Sequence, residues 1–304
     1  MVIGGSGFIG GRVVETLTEN NVHTLSYDIL NSYPMDEKTR WIRADILELP
    51  AIERLFFEYD VEAIIHLVGL PSIGYCEKNP HFSFELNVLS VQNALEAMRK
   101  TDAKKIVFAS SAAVYGYSSE NPVKETDLTN PTTIYGHHKL IAEEAIKAYC
   151  NSYGLNYAIL RLFNVYGGDP HIGKDVISIF IRRALKGESI LVKGPKKFRD
   201  FVHVNDVAQA FKKVVTSNVS NVTVNIGTGV MMTLQEIAEI ARECFDGVNV
   251  EYEKVHDDGT GLVANVTLAK NILNFSPQDP KRGIREHIVS YAPPENKILD
   301  MKRV

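Results

Sequence analysis

Cysteine is scarce in this chain of 304 residues. Cys76, Cys150 and Cys244 are scattered and odd in number, which argues against a disulfide framework or a metal knot and reads as reduced thiols. No apolar run approaches the roughly 20 residues of a membrane-spanning helix. No secretory signal is visible, since glycine-rich sequence begins at Gly4. The expected location is therefore cytoplasmic, and the Asn-x-Ser/Thr triplets at Asn218, Asn221 and Asn265 are read as chance. An excess of one charge is lacking too. A formal net charge of −4 indicates no broad attraction to nucleic acid or an anionic membrane. No internal repeat or low-complexity tract interrupts the chain. What remains is ordinary globular material, 45% hydrophobic, enough for one large α/β domain or one main domain with a smaller partner.

Short β-rich runs alternate with amphipathic runs through the first half. The expected strands are "VHTLSYD" (22–28), "RWIRAD" (40–45), "AIIHLVG" (63–69), "KIVFASS" (105–111) and "YAILRLF" (157–163). They are almost continuously apolar, as strands covered on both faces are. Between them, Ile9, Val13, Val14 and Leu17 mark one helical stripe, and Val88, Val91, Leu95 and Met98 another. The alternation predicts an α/β fold, a doubly wound parallel sheet with right-handed crossovers. Only Met1, Val2 and Ile3 precede Gly4, so the first strand is short or a few residues are missing before it.

Beyond about residue 166 the pattern loosens. A helix (175–187), the strand "SILVKG", a buried strand in "VTVNIGTG" (222–229) and a helix opened by the capping box "TLQE" (233–236) are expected. The expected organisation is a cofactor-binding domain over 1–165, to which 200–230 return, and a mainly substrate-binding lobe over 166–304.

"GGSGFIG" (4–10) spaces Gly4, Gly7 and Gly10 by three, after a strand fragment and at the opening of a helix. Such a loop lets the backbone approach a pyrophosphate and offers it helix N–H groups. Asp28, 18 residues after Gly10, stands where an acid binds ribose hydroxyls. Ile29 and Leu30 follow it, with no adjacent cation for a 2′-phosphate, which favours NAD over NADP. Asp45, ending "RADI", is either an adenine contact or a strand-end cap. His66 reads as a satisfied strand histidine.

"IYGHHK" (134–139) places Tyr135 and Lys139 one turn apart on a helical face. His137 and His138 between them have no third ligand to make a metal site, and no metal is expected.

Together these residues resemble the extended short-chain dehydrogenase/reductase superfamily, in particular its nucleotide-sugar epimerase branch, over residues 2–285. "GGSGFIG" is similar to its cofactor loop, "HLVGLPSIGYCEKNPHFSFELNV" to its fourth-strand region, "SSAAVYG" to its serine motif, "YGHHK" to its Tyr-x-x-x-Lys pair, and "LRLFNVYG" and "RDFVHVNDVA" to two substrate-side signatures. The resemblance implies a Rossmann domain with a smaller C-terminal lobe and NAD as cofactor. It implies Tyr135 as general base, Lys139 on the nicotinamide ribose and Ser111 on the reacting oxygen. It implies NAD contacts from Gly4, Gly7, Phe8, Ile9, Gly10, Asp28, Asp45, Ile46, Leu67, Val68, Gly69, Asn87, Ser110, Tyr135, Lys139 and Phe163. Asn164 and Arg199 would hold the nucleotide diphosphate, with Ser111 on the sugar. A phenol of pKa about 10 becomes a base near neutral pH if the Lys139 ammonium and a positive nicotinamide favour its anion.

Ala112 and Ala113 follow Ser111 where the sugar dehydratases of this superfamily carry an Asp-Glu pair and its decarboxylases a glutamate. Neither alanine can carry a proton, which leaves redox at one carbon. The reading implied is 4-epimerisation of a UDP-linked sugar through a 4-keto intermediate by a homodimer that pairs helices 81–100 and 135–151. A dehydrogenase or ketoreductase on a sugar or small alcohol is the alternative, and a non-catalytic dinucleotide-binding protein a third. One departure bears on the choice: Val255 or His256 stands where family members commonly carry a phosphate-binding arginine, so that contact is absent or moves to Lys196, Lys197 or Arg199.

Overall fold

The computed structural model describes residues 1–30, 39–101, 103–117 and 121–293. Its strands are β1 (Val2–Ile3), β2 (Thr24–Asp28), β3 (Thr39–Arg43), β4 (Ala63–His66), β5 (Lys105–Ser111), β6 (Asn156–Leu162), β7 (Asn164–Tyr166), β8 (Ile190–Lys193), β9 (Phe198–Arg199), β10 (Phe201–His203), β11 (Val222–Ile226), β12 (Met232–Thr233), β13 (Val250–Glu253) and β14 (Gly261–Leu262). Its helices are α1 (Phe8–Glu19), α2 (Leu49–Glu58), α3 (Ile73–Lys78), α4 (Pro80–Phe84), α5 (Ser90–Arg99), α6 (Ile134–Tyr153), α7 (Val176–Leu185), α8 (Val204–Val215), α9 (Leu234–Cys244), α10 (Thr267–Leu273) and α11 (Pro280–Tyr291).

Seven parallel strands form the central sheet in the order β11, β6, β5, β4, β1, β2, β3. This is a Rossmann-like, doubly wound arrangement. Alternate side chains feed two cores, as the period of a strand requires. Ile64, Ile106 and Phe108 face α2, α5 and α6 with Leu55, Leu95 and Ile146. Their neighbours Ile65, Val107 and Ala109 face α1 and α8 with Val14, Leu17, Val207 and Phe211. That double cover explains the nearly unbroken apolar strands.

β1 covers Val2–Ile3, and pairing extends past it. The Met1 amino group donates to Ala63 O at 2.7 Å, and Ile65 N donates to Met1 O at 2.9 Å. The direction of strand progression reverses between β1 and β4. Crevices at such a switch point, beyond the strands' C-terminal ends, are where open α/β sheets bind ligands.

The chain leaves the sheet after β6 and comes back to it twice. α8 packs on the α1 face, and β11 pairs with β6 from Val222↔Ala158 to Ile226↔Leu162. After α9 the chain returns again, placing Ala269, Leu273 and Phe275 in the same core. A third core joins α7, α9 and α11 around Ile181, Ile237, Phe201 and Ile284, beside the parallel pair β8 and β13. The expected capping box is formed: Thr233 Oγ accepts from Glu236 N, and the Glu236 carboxylate accepts from Thr233 N.

Two expected elements differ in detail. The stripe from Val88 to Met98 is not one α-helix, because Glu85–Leu89 forms a π-helical turn between α4 and α5. The third strand stops at Arg43, so Asp45 lies in the turn beyond it.

Candidate active site

The glycine loop is shaped by close contacts. Gly4 has φ +87°, and a Cβ there would lie 2.8 Å from Val68 N. A Cβ on Gly10 would lie 1.9 Å from Gly4 O, so α1 can start against the loop only without one. Gly7 is the N-cap of α1, and no side chain caps that end. The first turn, with Phe8 and Ile9, therefore has its N-terminal amides free of a side-chain cap, as an anion site requires. Asp28 lies against this loop. Its Oδ2 accepts from Ser6 N at 3.0 Å, and its Oδ1 accepts from Leu30 N at 3.1 Å. Each carboxylate oxygen keeps a second lone pair for a ribose hydroxyl. Asp45 uses Oδ1 to accept from Leu47 N at 2.9 Å, so it is a turn cap whatever else it contacts. The neighbouring Ile46 is buried, and its carbonyl accepts from Asn93 Nδ2 at 2.9 Å.

Leu67, Val68 and Gly69 run out from the end of β4. The π-helical turn aims Asn87 at this segment. Asn87 Oδ1 accepts from Leu70 N at 3.0 Å, and Asn87 Nδ2 donates to Leu70 O at 3.3 Å and to Ser83 Oγ at 3.2 Å. Ser83 Oγ in turn bonds His138 Nδ1 at 2.9 Å. His138 is a strut that ties α6 to the loop after β4. His66 departs from the satisfied histidine expected. It is fully buried beside Phe108, with neither ring nitrogen in a hydrogen bond of normal geometry. Burial, then the Lys139 ammonium, lowers its pKa to about 3, so it is neutral.

α6 begins at Ile134, capped by Thr133 Oγ, which accepts from Gly136 N at 3.1 Å. Gly136 permits a close approach: a Cβ there would lie 2.6 Å from Ala113 O. The helix start is thereby pressed onto the turn after β5, and the Ser111 side chain acts on the Tyr135 phenol in the direction of its anion. The Ser111 hydroxyl also accepts from Ala113 N at 3.2 Å. One turn on, Lys139 is buried, and its Nζ donates to Ala109 O at 2.9 Å and lies 4.7 Å from the Phe108 ring centroid. A Cβ on Gly69 would come within 3.1 Å of Lys139 Nζ and 2.8 Å of Asn87 Oδ1. The loop after β4, the amide and the ammonium thus share one cradle.

The electrostatics of the chain by itself depart from expectation. Burial pushes the Tyr135 phenol up to about 12, and the Ser111 side chain only partly opposes this. Burial also brings Lys139 down to about 8, against the raising influence of Glu143 and then Cys76. Lys139 is turned toward Ala109 O, and its charge does not dominate at the phenol. In the chain alone, desolvation is the largest influence on the phenol.

Beneath the cradle lies a buried network that sequence reading missed. Glu143 accepts from Ser110 Oγ at 2.5 Å and from Arg161 Nε and Nη2 at 3.0 and 2.8 Å. Its signal was legible: an arginine in the middle of the apolar strand "YAILRLF" must find a buried partner. Phe163 is buried among Val114, Tyr115 and Ala264.

Asn164 and Arg199 are not hydrogen-bonded to the Ser111 and Tyr135 group among the described residues. They lie on β7 and β9, joined through Asp200. Asp200 O accepts from Asn164 N at 2.9 Å, and its buried carboxylate accepts from Thr228 N, Thr228 Oγ, Gly229 N and Ala264 N at 2.7–3.0 Å. Arg199 donates to Phe198 O at 2.7 Å; burial lowers its pKa, opposed by Asp257. Lys197 Nζ is bound to the same Asp257 at 2.7 Å, and Lys196 N donates to Asp258 Oδ1 at 2.7 Å.

The fold and the crevice define a Rossmann-like dinucleotide-binding protein. A match over residues 1–227 to the NAD dependent epimerase/dehydratase family makes the assignment specific, and the chain belongs to that family. A provisionally named UDP-glucose 4-epimerase of Methanocaldococcus jannaschii is 42% identical over 249 residues, covering 80% of this chain and 81% of that protein. The UDP-glucose 4-epimerase of Thermotoga maritima, solved with UDP-glucose, superimposes with a TM-score of 0.87 at 29% identity and covers 98% of each chain. The Thermus thermophilus UDP-glucose 4-epimerase, solved with NAD, superimposes with a TM-score of 0.85 at 29% identity, covering 95% of this chain and 97% of that one.

Proposed function

We propose that this chain is an NAD-dependent UDP-hexose 4-epimerase. The observation that carries the reading is the close approach of the α6 start, with Tyr135 on it and Lys139 buried one turn on, to the Ser111–Ala113 turn at Gly136, with only Ala112 and Ala113 following Ser111. The residues present fit NAD. The uncapped start of α1 suits a pyrophosphate, the Asp28 carboxylate suits the adenosine ribose, and the Gly69 cradle suits a ribose held by Lys139. Phe8, Ile9, Asp45, Ile46, Leu67, Val68, Asn87, Ser110 and Phe163 complete the proposed cofactor contacts. Bound NAD⁺ supplies a hydride acceptor, returns the hydride, and adds positive charge that offsets burial of the phenol.

Tyr135 removes the proton of the C4 hydroxyl and later returns it to the opposite epimer. Ser111 holds the reacting oxygen as its charge changes. Ala112 and Ala113 offer no second proton carrier, so neither elimination nor decarboxylation competes. Arg199 and Asn164 hold the nucleotide diphosphate while the 4-keto sugar turns. An arginine fork suits phosphate oxygens, and Lys197, already paired with Asp257, is the weaker candidate. In this reading residues 1–165 with 200–230 serve the cofactor, and 166–304 mainly the substrate; 294–304 lie outside the described residues.

Two further properties belong to the same reading. The chain acts as a homodimer, supported by exposed Phe82, Leu89, Ile141 and Tyr153 on α4, the π-helical turn and α6. It acts in the cytoplasm, supported by three buried free thiols; no helix among the described residues is long and apolar enough to cross a membrane. Incubation with UDP-glucose or UDP-N-acetylglucosamine and NAD⁺ tests the function. The 4-epimer is expected without accumulation of NADH. Stoichiometric NADH release on a non-nucleotide alcohol would replace the proposal with a dehydrogenase.

A further inference from the structure

We propose that Glu143, clamped by Arg161, is a positioning residue that keeps Lys139 in its ammonium form and fixes the end of β5 on which the lysine rests. The inference rests on the role given to Lys139 above. Glu143 stands one turn after Lys139 on α6, and its side chain is wholly buried. Its oxygens accept from Ser110 Oγ and from two nitrogens of Arg161, a bidentate charge-assisted pair. Ser110 lies between Ala109, whose carbonyl receives the Lys139 ammonium, and Ser111, whose side chain acts on the Tyr135 phenol. The carboxylate therefore braces both contacts at once. Arg161 is braced in turn: its Nη1 donates to Tyr115 OH at 3.0 Å and to Glu125 O at 3.2 Å, and Tyr115 OH donates to Asn225 Oδ1 at 2.7 Å.

Stability alone does not account for such a pair, because buried ion pairs often do no better than apolar residues of similar volume. Its position gives the better account. The titratable groups acting on Lys139 or acted on by it are Glu143 on α6, Cys76 on α3 and His66 on β4. The Cys76 thiol donates to Leu70 O at 3.3 Å, and His66 is neutral. From β5 the ammonium meets the Phe108 ring. Glu143 is thus the formal anion that offsets the desolvation of Lys139, with the Arg161 cation on its far side.

The test follows the protonation of Lys139 rather than activity alone. With Lys labelled with ¹³C at Cε, and the resonance assigned by Lys139→Met, wild type is expected to titrate near pH 8. Glu143→Gln should lower that midpoint by about one unit or more. The double variant Glu143→Gln/Arg161→Gln, which leaves no unpaired buried charge, should shift it in the same direction. Glu143→Asp, which keeps the charge, should stay nearer wild type. The alkaline limb of the epimerisation rate should move with the midpoint, giving roughly tenfold less activity at pH 8.5 and little change at pH 6. A folded double variant with the wild-type midpoint and a rate lowered equally at every pH would overturn the proposal. So would a wild-type midpoint near 10.5. If wild type converts no UDP-hexose, the functional reading fails, while the resonance titration still decides the role of Glu143.

Discussion

Two glycines of one motif should fail in different ways when replaced by alanine. Gly10 faces the backbone: its Cβ would lie 1.9 Å from Gly4 O and 2.9 Å from Gly5 Cα. Relief needs a main-chain shift of about 1 Å, and overpacking of that kind costs about 3 kcal/mol at the upper end. Alanine recovers about 1 kcal/mol of helix propensity over glycine. Gly10→Ala should thus lose about 2 kcal/mol, or several degrees of melting temperature. Gly7 is not crowded: its Cβ would meet Gly4 O at an ordinary 3.4 Å, and its φ is −75°. Gly7→Ala gives up only the small N-cap advantage of glycine, about 1 kcal/mol or less. Its methyl group enters the room left for a pyrophosphate, so NAD⁺ affinity should fall tenfold or more. Thermal melting without added cofactor and calorimetric titration with NAD⁺ separate the two effects. Gly10→Ala melting with wild type, or Gly7→Ala binding NAD⁺ unchanged, would refute this account of the loop.

Asp200→Ala should destabilise the protein by at least about 3 kcal/mol, because the buried Ala264 N–H and three other donors lose their acceptor; chemical denaturation measures it, and Asp200→Asn should lose less. His66 is neutral in the folded protein down to about pH 3, whereas its unfolded side chain takes a proton near 6.5. The unfolded state therefore gains the extra proton as pH falls below about 6.5, and stability drops by about 2 kcal/mol at pH 5 from this group alone. His66→Gln should flatten that part of the curve, and an unchanged slope in denaturation between pH 7 and 5 would contradict the assignment.

The parallel sheet was legible because strands covered on both faces write themselves as apolar runs, and "TLQE" announced its helix through paired local hydrogen bonds. The glycine loop and the Tyr135–Lys139 spacing were legible for the same reason: each is a short-range pattern. Long-range facts were not. The π-helical turn at Glu85–Leu89 shares the composition of an α-helix, yet it decides that Asn87 reaches Leu70. His138 looked idle until Ser83, 55 residues earlier, was brought to it. The upward push on the Tyr135 pKa in the chain alone was not legible, because a sequence shows a neighbouring charge but not the desolvation set against it.

One measurement bears most directly on the central claim. Wild type and Tyr135→Phe, each loaded with NAD⁺, are given UDP-glucose and followed by proton NMR of the sugar anomeric signal. The account predicts that wild type forms UDP-galactose without net NADH, and that the variant keeps its NAD⁺ but slows by about 100-fold or more. Turnover by Tyr135→Phe at the wild-type rate would contradict it.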